Sequence, residues 1–362
     1  MIKKILVVSN LLCISLFAQG MSIEKKIGQM LMVGFYGTSA SPNSQICKDI
    51  KRYNLGGVIL FDYNPTNYFK AKNISSKSQL KRLTKQLQAC SRDGKLLIAI
   101  DQEGGKVQRL KRKYGFYGNF PKASDIKKMS TKQIKNTYLK MARELHSVGV
   151  NFNLAPVVDL DINPRNRVIH GLGRSFGKDP KKVAKYANIF IQAMNKYNVL
   201  TSIKHFPGHG SSLGDTHRGF VDVTKLWNKK ELEPYKKLKN RADTIMVAHV
   251  FNKKIDSKYP ASLSYKTING LLRQNIGYNG VVITDDLQMG AISKKYGLKT
   301  TLALAIAAGD DILLIGNQLN PKRVVSTKRL VNTIKSWVGN NRTKMKMIDN
   351  SYRRIARLKK KI

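Results

Sequence analysis

Between Lys204 and His217 the chain reads Lys-His-Phe-Pro-Gly-His-Gly-Ser-Ser-Leu-Gly-Asp-Thr-His. Three of the six histidines fall here, with Lys204 and Asp215 beside them. The preceding residues 199–203 lean apolar and read as a buried strand. Pro207, Gly208, Gly210 and Gly214 then break the chain into a loop. Imidazoles titrate near neutral pH, so a strand that ends in such groups and opens into a Gly-rich loop suits proton transfer. A merely His-rich surface loop is the plain alternative. The crowding of proton-handling and charged positions into so few residues disfavours it.

Four other segments end in charge or imidazole. They are Ala99-Ile100-Asp101-Gln102-Glu103-Gly104-Gly105, Asn153-Leu154-Ala155-Pro156-Val157-Val158-Asp159, Met246-Val247-Ala248-His249 and Thr284-Asp285-Asp286. Two chemistries compete for these groups. A metal-assisted hydrolase would take His205, His209, His217, His249 and the aspartates as ligands. Metal barrels of the amidohydrolase type want His-x-His on an early strand, and the first three predicted strands hold no histidine. Glycoside hydrolysis instead needs one carboxylate to attack the sugar and another group to move a proton. Asp285, beside Asp286 at a strand end, suits the nucleophile. Asp215, His217 and Glu103 are the candidates for the proton donor.

The elements that must position these groups follow from periodicity. Short apolar runs alternate with longer amphipathic stretches. Strands are predicted at 31–35, 57–61, 96–101, 150–159, 200–205, 244–250, 281–285 and 311–315. Helices fall between them, among them 45–53, 79–89, 132–148, 180–195, 230–239, 265–274 and 298–308. Asp179-Pro180 is a helix start, a cap residue before Pro at the first helical position. This alternation predicts an α/β fold, a single-domain (β/α)8 barrel of the TIM type. All five polar strand ends then converge on one rim, as a catalytic pocket requires. A doubly wound open sheet is the alternative, but no Gly-rich phosphate loop follows the first strand. Near the C-terminus, Ile348, Tyr352, Ile355, Leu358 and Ile362 share helical spacing. They read as the packing stripe of a last barrel helix rather than as a membrane-surface helix.

The chain has 362 residues, 42% of them hydrophobic, which allows one large α/β domain or two ordinary ones. Residues 1–20 read as a secretory signal peptide. Lys3 and Lys4 form its basic end, 5–18 its apolar region, and Ala18-Gln19-Gly20 its cleavage site. It is too short to span a membrane, and Leu11-Leu12 before Cys13 make a poor lipoprotein context. The mature domain, 21–362, is then exported, to the periplasm, with no integral membrane segment. Initiation at Met21 would leave it in the cytoplasm. Cys47 and Cys90 lie in predicted helices of neighbouring βα units. In an oxidising compartment they pair, or else they remain partly buried thiols. The formal charge of +44, from 66 Lys and Arg against 22 Asp and Glu, favours an anionic partner. The basic residues are spread out and no aromatic-rich nucleic-acid module is present. Cell wall is therefore the better candidate than nucleic acid, and a Lys-rich solvated surface is the plain alternative. The oligomeric state is not legible.

At these motifs the sequence resembles glycoside hydrolase family 3, in its single-domain branch of bacterial β-N-acetylglucosaminidases. The signature 204–210 followed by Asp215-Thr216-His217 carries the resemblance. So do 100–109, Gly173-Arg174-Ser175-Phe176, Ala248-His249 and 284–289. The match runs in order along the mature chain. It implies a retaining mechanism, with Asp285 as nucleophile and His217, hydrogen-bonded to Asp215, as acid and then base. Asp101, Arg109, Arg174, Lys204 and His205 would bind the hydroxyls of N-acetylglucosamine. The implied substrates are peptidoglycan fragments or other N-acetylglucosaminides, with no metal and no cofactor. A β-glycosidase or phosphorylase of other specificity, or a non-catalytic wall-binding barrel, are the alternatives. Lys106 stands where relatives often carry Arg. Glu103 reads as a structural acceptor, His209 as a loop-fixing group and Asp286 as a cap or backbone acceptor. Asp159 reads equally as structural or sugar-binding. The glycines of 207–219 would let the loop open and close over the sugar.

Overall fold

The computed structural model describes residues 20–362 apart from positions 68 and 320. The predicted signal peptide, but for Gly20, and Cys13 therefore lie outside the described residues. Eight strands run parallel: β1 (Leu31–Gly34), β2 (Gly57–Ile59), β3 (Leu97–Ile100), β4 (Phe152–Asn153), β5 (Leu200–Phe206), β6 (Thr244–Val247), β7 (Val281–Thr284) and β8 (Leu313–Ile315). Their order is β7-β6-β5-β4-β3-β2-β1-β8. The single bridge Ile283↔Ile312 joins β7 to β8 and closes the ring. Around it the Thr284 amide donates to the Ile312 carbonyl and the Ile312 amide to that of Val282. This is the predicted TIM-type barrel. Its strand residues are buried throughout. Helices and side chains cover both faces of a parallel sheet, so its strands read as continuous apolar runs.

Prolines account for two departures from the predicted boundaries. The fourth strand was expected over 150–159, yet regular pairing covers only β4. Pro156 has no N–H to give to a ladder. The chain still follows β5, because the Ser202 amide donates to Ala155, that of Lys204 to Pro156, and that of Val158 to Lys204. Asp159 reaches the rim by this irregular path. The helix expected at 230–239 is divided into a 3-10 turn, Lys229–Leu232, and a helix, Glu233–Leu238, with Pro234 in its first turn. The segment expected as a helix at 265–274 is a π-helix, Lys266–Asn275. The Pro180–Asn195 helix starts as expected, with the Asp179 carboxylate accepting the Lys181 amide at 2.8 Å.

Cys47 and Cys90 are disulfide-bonded. The bridge ties helix Gln45–Tyr53 to helix Lys77–Cys90, in adjacent βα units. The C-terminal helix Arg342–Leu358 buries Ile348, Ile355 and Leu358 of the predicted stripe, together with Ser351, while Tyr352 and Ile362 are half-buried. No described helix is long and apolar enough to cross a membrane.

The end of the barrel opposite the polar rim is clamped by Asp311, which is fully buried just before β8. One carboxylate oxygen accepts from Arg273 Nη2 and the Val282 amide, each at 2.9 Å. The other accepts from Ser351 Oγ at 2.8 Å and Arg354 Nη1 at 2.9 Å. One side chain thus joins β7, β8 and two helices. Asp311→Ala strands the nearly buried Arg273 guanidinium without its carboxylate. Losing one partner of a buried pair costs about 3–5 kcal/mol. The expected result is a lower urea midpoint at unchanged slope. A midpoint equal to wild type would show that the clamp carries no stability.

Candidate active site

The C-terminal strand ends open into a cleft of ≈ 740 Å³. All eight predicted site residues line it: Asp101, Arg109, Arg174, Lys204, His205, Asp215, His217 and Asp285. They arrive from β3, β5, β7 and the loops that follow β3, β4 and β5.

The floor is a network of matched charges. Lys204 Nζ donates to Asp101 Oδ1 at 2.9 Å and lies 2.8 Å from Glu103 Oε1. Arg174 grips Glu103 with two parallel bonds of 2.8 and 2.7 Å. Arg109 lies 3.5 Å from Asp101 and 3.9 Å from the buried Asp62. Burial alone would raise the pKa of Asp101, but Lys204 and Arg109 outweigh it and hold the carboxyl below its ordinary value. Burial likewise works against Glu103, yet Arg174 and Lys204 hold it far below the carboxylate range. Glu103 therefore has no proton to give, which removes it from the three candidate donors and fits its reading as a structural acceptor.

His205 stands at the edge of this floor. Its Nδ1 meets Asp159 Oδ2 at 2.7 Å, and its Nε2 lies 3.4 Å from Arg174. Asp159 is buried and also accepts the His209 amide at 2.8 Å. It does not line the cleft, so of its two readings the structural one holds.

Asp285 and Asp286 share a strand end and differ in environment. Burial would raise the pKa of Asp285, but facing histidines, His205 first, and the Asp286 amide on Oδ1 at 2.8 Å bring it down to about 2. Burial wins at Asp286 and lifts it to about 6, although the Gln288 and Gly316 amides donate to its Oδ1. Asp286 thus bonds backbone amides, as expected. His249 lies behind it, fully buried. Its Nε2 donates to the Asp286 carbonyl at 2.9 Å, and its Nδ1 meets Ser262 Oγ at 2.6 Å.

The loop after β5 has two unlike halves. Residues 207–212 are buried. Asn163 donates to the carbonyls of Ser211 and Ser212, and Asn166 to those of His209 and Gly210. His209 Nδ1 meets Ser212 Oγ at 2.7 Å, and burial lowers its pKa to about 4. It fixes the loop, as expected. Gly208 has φ +124°, and a Cβ there would fall 2.5 Å from that of Glu231. A Cβ on Gly210 would fall 1.8 Å from the Leu160 carbonyl oxygen. These two glycines permit close approach and do not form the hinge that the sequence suggested. The outer half, from Leu213, is more open. There His217 Nδ1 meets Asp215 Oδ1 at 2.8 Å, and the His217 amide donates to the same oxygen at 2.9 Å. Burial opposes ionisation of Asp215, but these hydrogen bonds prevail and lower its pKa. With Nδ1 engaged, Nε2 is the ring atom left to act. The amides of Gly290 and Ala291, just after Asp285 in the chain, hold the carbonyls of His217 and Thr216.

Among the cleft residues that escaped the sequence reading are two arginines. Arg165 and Arg167 line the cleft from the loop after β4. They lie off any strand end, in a segment without periodicity, so no pattern marks them. Among the described residues, no group of three or more His, Cys, Asp or Glu is arranged to hold a metal ion.

Residues 22–358 match the family described as glycosyl hydrolase family 3 N terminal domain. The β-hexosaminidase A of Pseudoalteromonas piscicida is 32% identical over 94% of this chain and 62% of its own length. The β-hexosaminidase of Hydrogenovibrio crunogenus is 34% identical over 82% of each chain. Among solved structures, a family 3 β-N-acetylglucosaminidase from a Paenibacillus species superposes with a TM-score of 0.84 at 32% identity, covering 94% of this chain and 63% of that one. A β-N-acetylhexosaminidase from Beutenbergia cavernae gives 0.82 at 28% identity, covering 94% and 99%. The chain thus spans less than two thirds of the first protein and of the first structure.

Glu231 supports the inner half of the loop from beneath. It is 1% exposed, and its Oε2 accepts the amides of Gly210 at 2.9 Å and Ser211 at 3.3 Å. Its other oxygen has no partner. Burial, first, raises its pKa to about 7 from 4.5. A raised folded pKa means that the native state binds more protons than the unfolded one between these values. Stability from this group is complete below about pH 4.5 and is lost as pH rises through about 7. Glu231→Gln keeps an acceptor for both amides and removes the charge. It should flatten the fall in stability between pH 5 and 7, on the order of 2–3 kcal/mol by the size of the shift. Parallel urea titrations of both proteins across that range check it. An unchanged pH slope would overturn the assignment.

Proposed function

The chain belongs to glycosyl hydrolase family 3, and from that premise we propose that it is a retaining exo-β-N-acetylglucosaminidase acting on peptidoglycan fragments. The single observation that carries the reading is one cleft holding an ionised Asp285 and, on a separate loop, the Asp215–His217 pair. The β-hexosaminidase names of the relatives support the sugar preference.

In this mechanism Asp101, Arg109, Arg174, Lys204 and His205 hold the sugar hydroxyls with charge-assisted hydrogen bonds. The Asp285 carboxylate attacks the anomeric carbon. The bond to the leaving oxygen breaks, and that oxygen takes the proton from His217 Nε2. Water then attacks the same carbon, gives a proton back to Nε2 and releases Asp285. Two inversions give net retention. Asp215 stays ionised, holds Nδ1–H and so keeps Nε2 toward the reaction. An imidazole in place of a second carboxylate avoids an extra anion beside the attacking one. No step in this scheme uses a metal or a cofactor. We further propose that the protein is exported to the periplasm. The leader-like N-terminus supports this, and so does the Cys47–Cys90 bond, since disulfides persist in oxidising compartments.

Hydrolysis of an aryl N-acetyl-β-glucosaminide and an aryl β-glucoside, each with and without chelator, tests the reading. The first should be the better substrate, and chelator should not matter. Inhibition by chelator would restore the metal reading. Turnover of neither by folded protein would favour a binding barrel.

Asp285→Ala should lower turnover by several orders of magnitude while sugar binding largely survives. A mechanism-based fluorosugar should label the wild-type protein at Asp285. Labelling at Asp286 or Glu103 would overturn the assignment. His217→Ala should slow the first step far more for a sugar leaving group than for an aryl oxide, which departs without a proton. With the aryl substrate the intermediate should accumulate and give a burst. Azide, which needs no deprotonation, should then speed the second step and yield the β-glycosyl azide. Equal slowing for both leaving groups, with no rescue by azide, would place the proton donor elsewhere.

A further inference from the structure

Apart from the exposed Arg218, which lies 3.8 Å from Asp215, the cations of the cleft fall into two sets. Those of the floor are matched: Lys204 with Asp101 and Glu103, Arg174 with Glu103, Arg109 with Asp101 and Asp62. Arg165 and Arg167 are exposed, line the same cleft, and have no acidic partner among the described residues.

Their backbone is nevertheless fixed. Asn166, between them, is 1% exposed, and its Nδ2 donates to the His209 carbonyl at 2.8 Å and the Gly210 carbonyl at 3.2 Å. Its Oδ1 accepts the amides of Val168 and Ile169. Asn163 donates to Ser211 and Ser212, and its Oδ1 accepts the Arg165 amide at 3.0 Å. The two arginines are therefore stapled to the loop that carries His217. A proton donor sits beside the leaving oxygen, and the two arginines share with His217 both the cleft and the loop that bounds it, which is where a leaving group would lie in the proposed mechanism. Leu213 and Leu319, 47% and 42% exposed, add apolar surface to the lining of the cleft.

We infer that Arg165 and Arg167 form a carboxylate-binding subsite for the leaving group, so that the enzyme selects an acidic aglycone. This rests on the hydrolase reading above. A guanidinium matches a carboxylate in a planar, two-point contact, and a fixed backbone lowers the ordering cost of that contact. A muropeptide offers the carboxylate either on the ether arm of its leaving sugar or on the attached peptide.

The experiment compares kcat/KM for disaccharides with a terminal N-acetylglucosamine. In one pair the leaving sugar bears a free carboxylate or its primary amide. In the other the arm carries a peptide with free or amidated carboxylates. Wild type should favour an acid over its amide by about tenfold at low salt, the scale of two exposed ion pairs. The ratio should shrink as salt rises. The double variant Arg165→Gln/Arg167→Gln should bring it close to one. Preference within the peptide pair alone would assign the carboxylate to the peptide. Acid and amide turned over equally in both pairs by wild type would overturn the inference, as would a ratio unchanged in the double variant. If the double variant fails to fold, the single variants Arg165→Gln and Arg167→Gln replace it, and a ratio unchanged in both would overturn the inference. An aryl N-acetylglucosaminide separates the two readings. Its turnover with equal ratios defeats this inference alone, and its inertness defeats the hydrolase reading beneath it.

Discussion

One buried carboxylate holds the loop after β5 to the barrel. Asp159 accepts the His205 ring at 2.7 Å, the His205 amide at 3.2 Å and the His209 amide at 2.8 Å. Its own carbonyl accepts Ser175 Oγ at 2.6 Å, next to Arg174. Burying a carboxylate is unfavourable unless its lone pairs are filled. Here burial pushes the pKa up, but His205 and the hydrogen bonds pull it below the ordinary value. The arrangement is thus costly to break from either side. Without the Asp159 carboxylate, the end of β5 and the start of the loop would each lose a fixed point.

The carboxyl groups around the cleft show how environment divides labour within one residue class. Glu103 is saturated by two cations and stays ionised as part of the floor. Asp285 is lowered and faces the cleft, which suits a nucleophile. Asp286, its neighbour in sequence, is raised and spends one oxygen on backbone amides. Two adjacent anions would repel. Giving them different partners lets one remain reactive while the other ties β7 to the turn after β8.

Much of this was legible because the fold concentrates chemistry at strand ends. Buried parallel strands must be apolar, so a polar residue ending such a run stands out. Asp101, Lys204, His205 and Asp285 were found that way, and all face the cleft. Strand limits failed where a local rule met long-range pairing, as at Pro156, which leaves the ladder while its chain still follows β5. The supports of the site were not legible at all. Asn163, Asn166 and Glu231 act across tens of residues on carbonyls and amides of another loop, and no periodicity encodes that. Whether Cys47 and Cys90 pair depended on how closely two helices approach, which spacing along the chain does not reveal. Gly208 and Gly210 were misread for a similar reason. A glycine required by a close neighbour looks the same in sequence as one that provides a hinge.

The same division of the loop explains how a half-exposed pair could become a competent acid. The His217 side chain is 50% exposed and that of Asp215 32%, so solvent weakens their interaction in the free protein. The inner half of the loop is rigid and fixes where the pair stands. A leaving group seated against the outer half would displace that water, and the Asp215–His217 interaction would strengthen as the local dielectric falls. Binding on the leaving-group side would then tune the proton donor directly. A substrate without a sugar there would leave the pair wet. The asparagine hydrogen bonds tie the arginine-bearing segment to the inner half of the loop, and the Gly290 and Ala291 amides hold the carbonyls of His217 and Thr216 in the outer half, so in the proposed mechanism the groups that would meet the aglycone and the group that would deliver the proton are anchored on one loop.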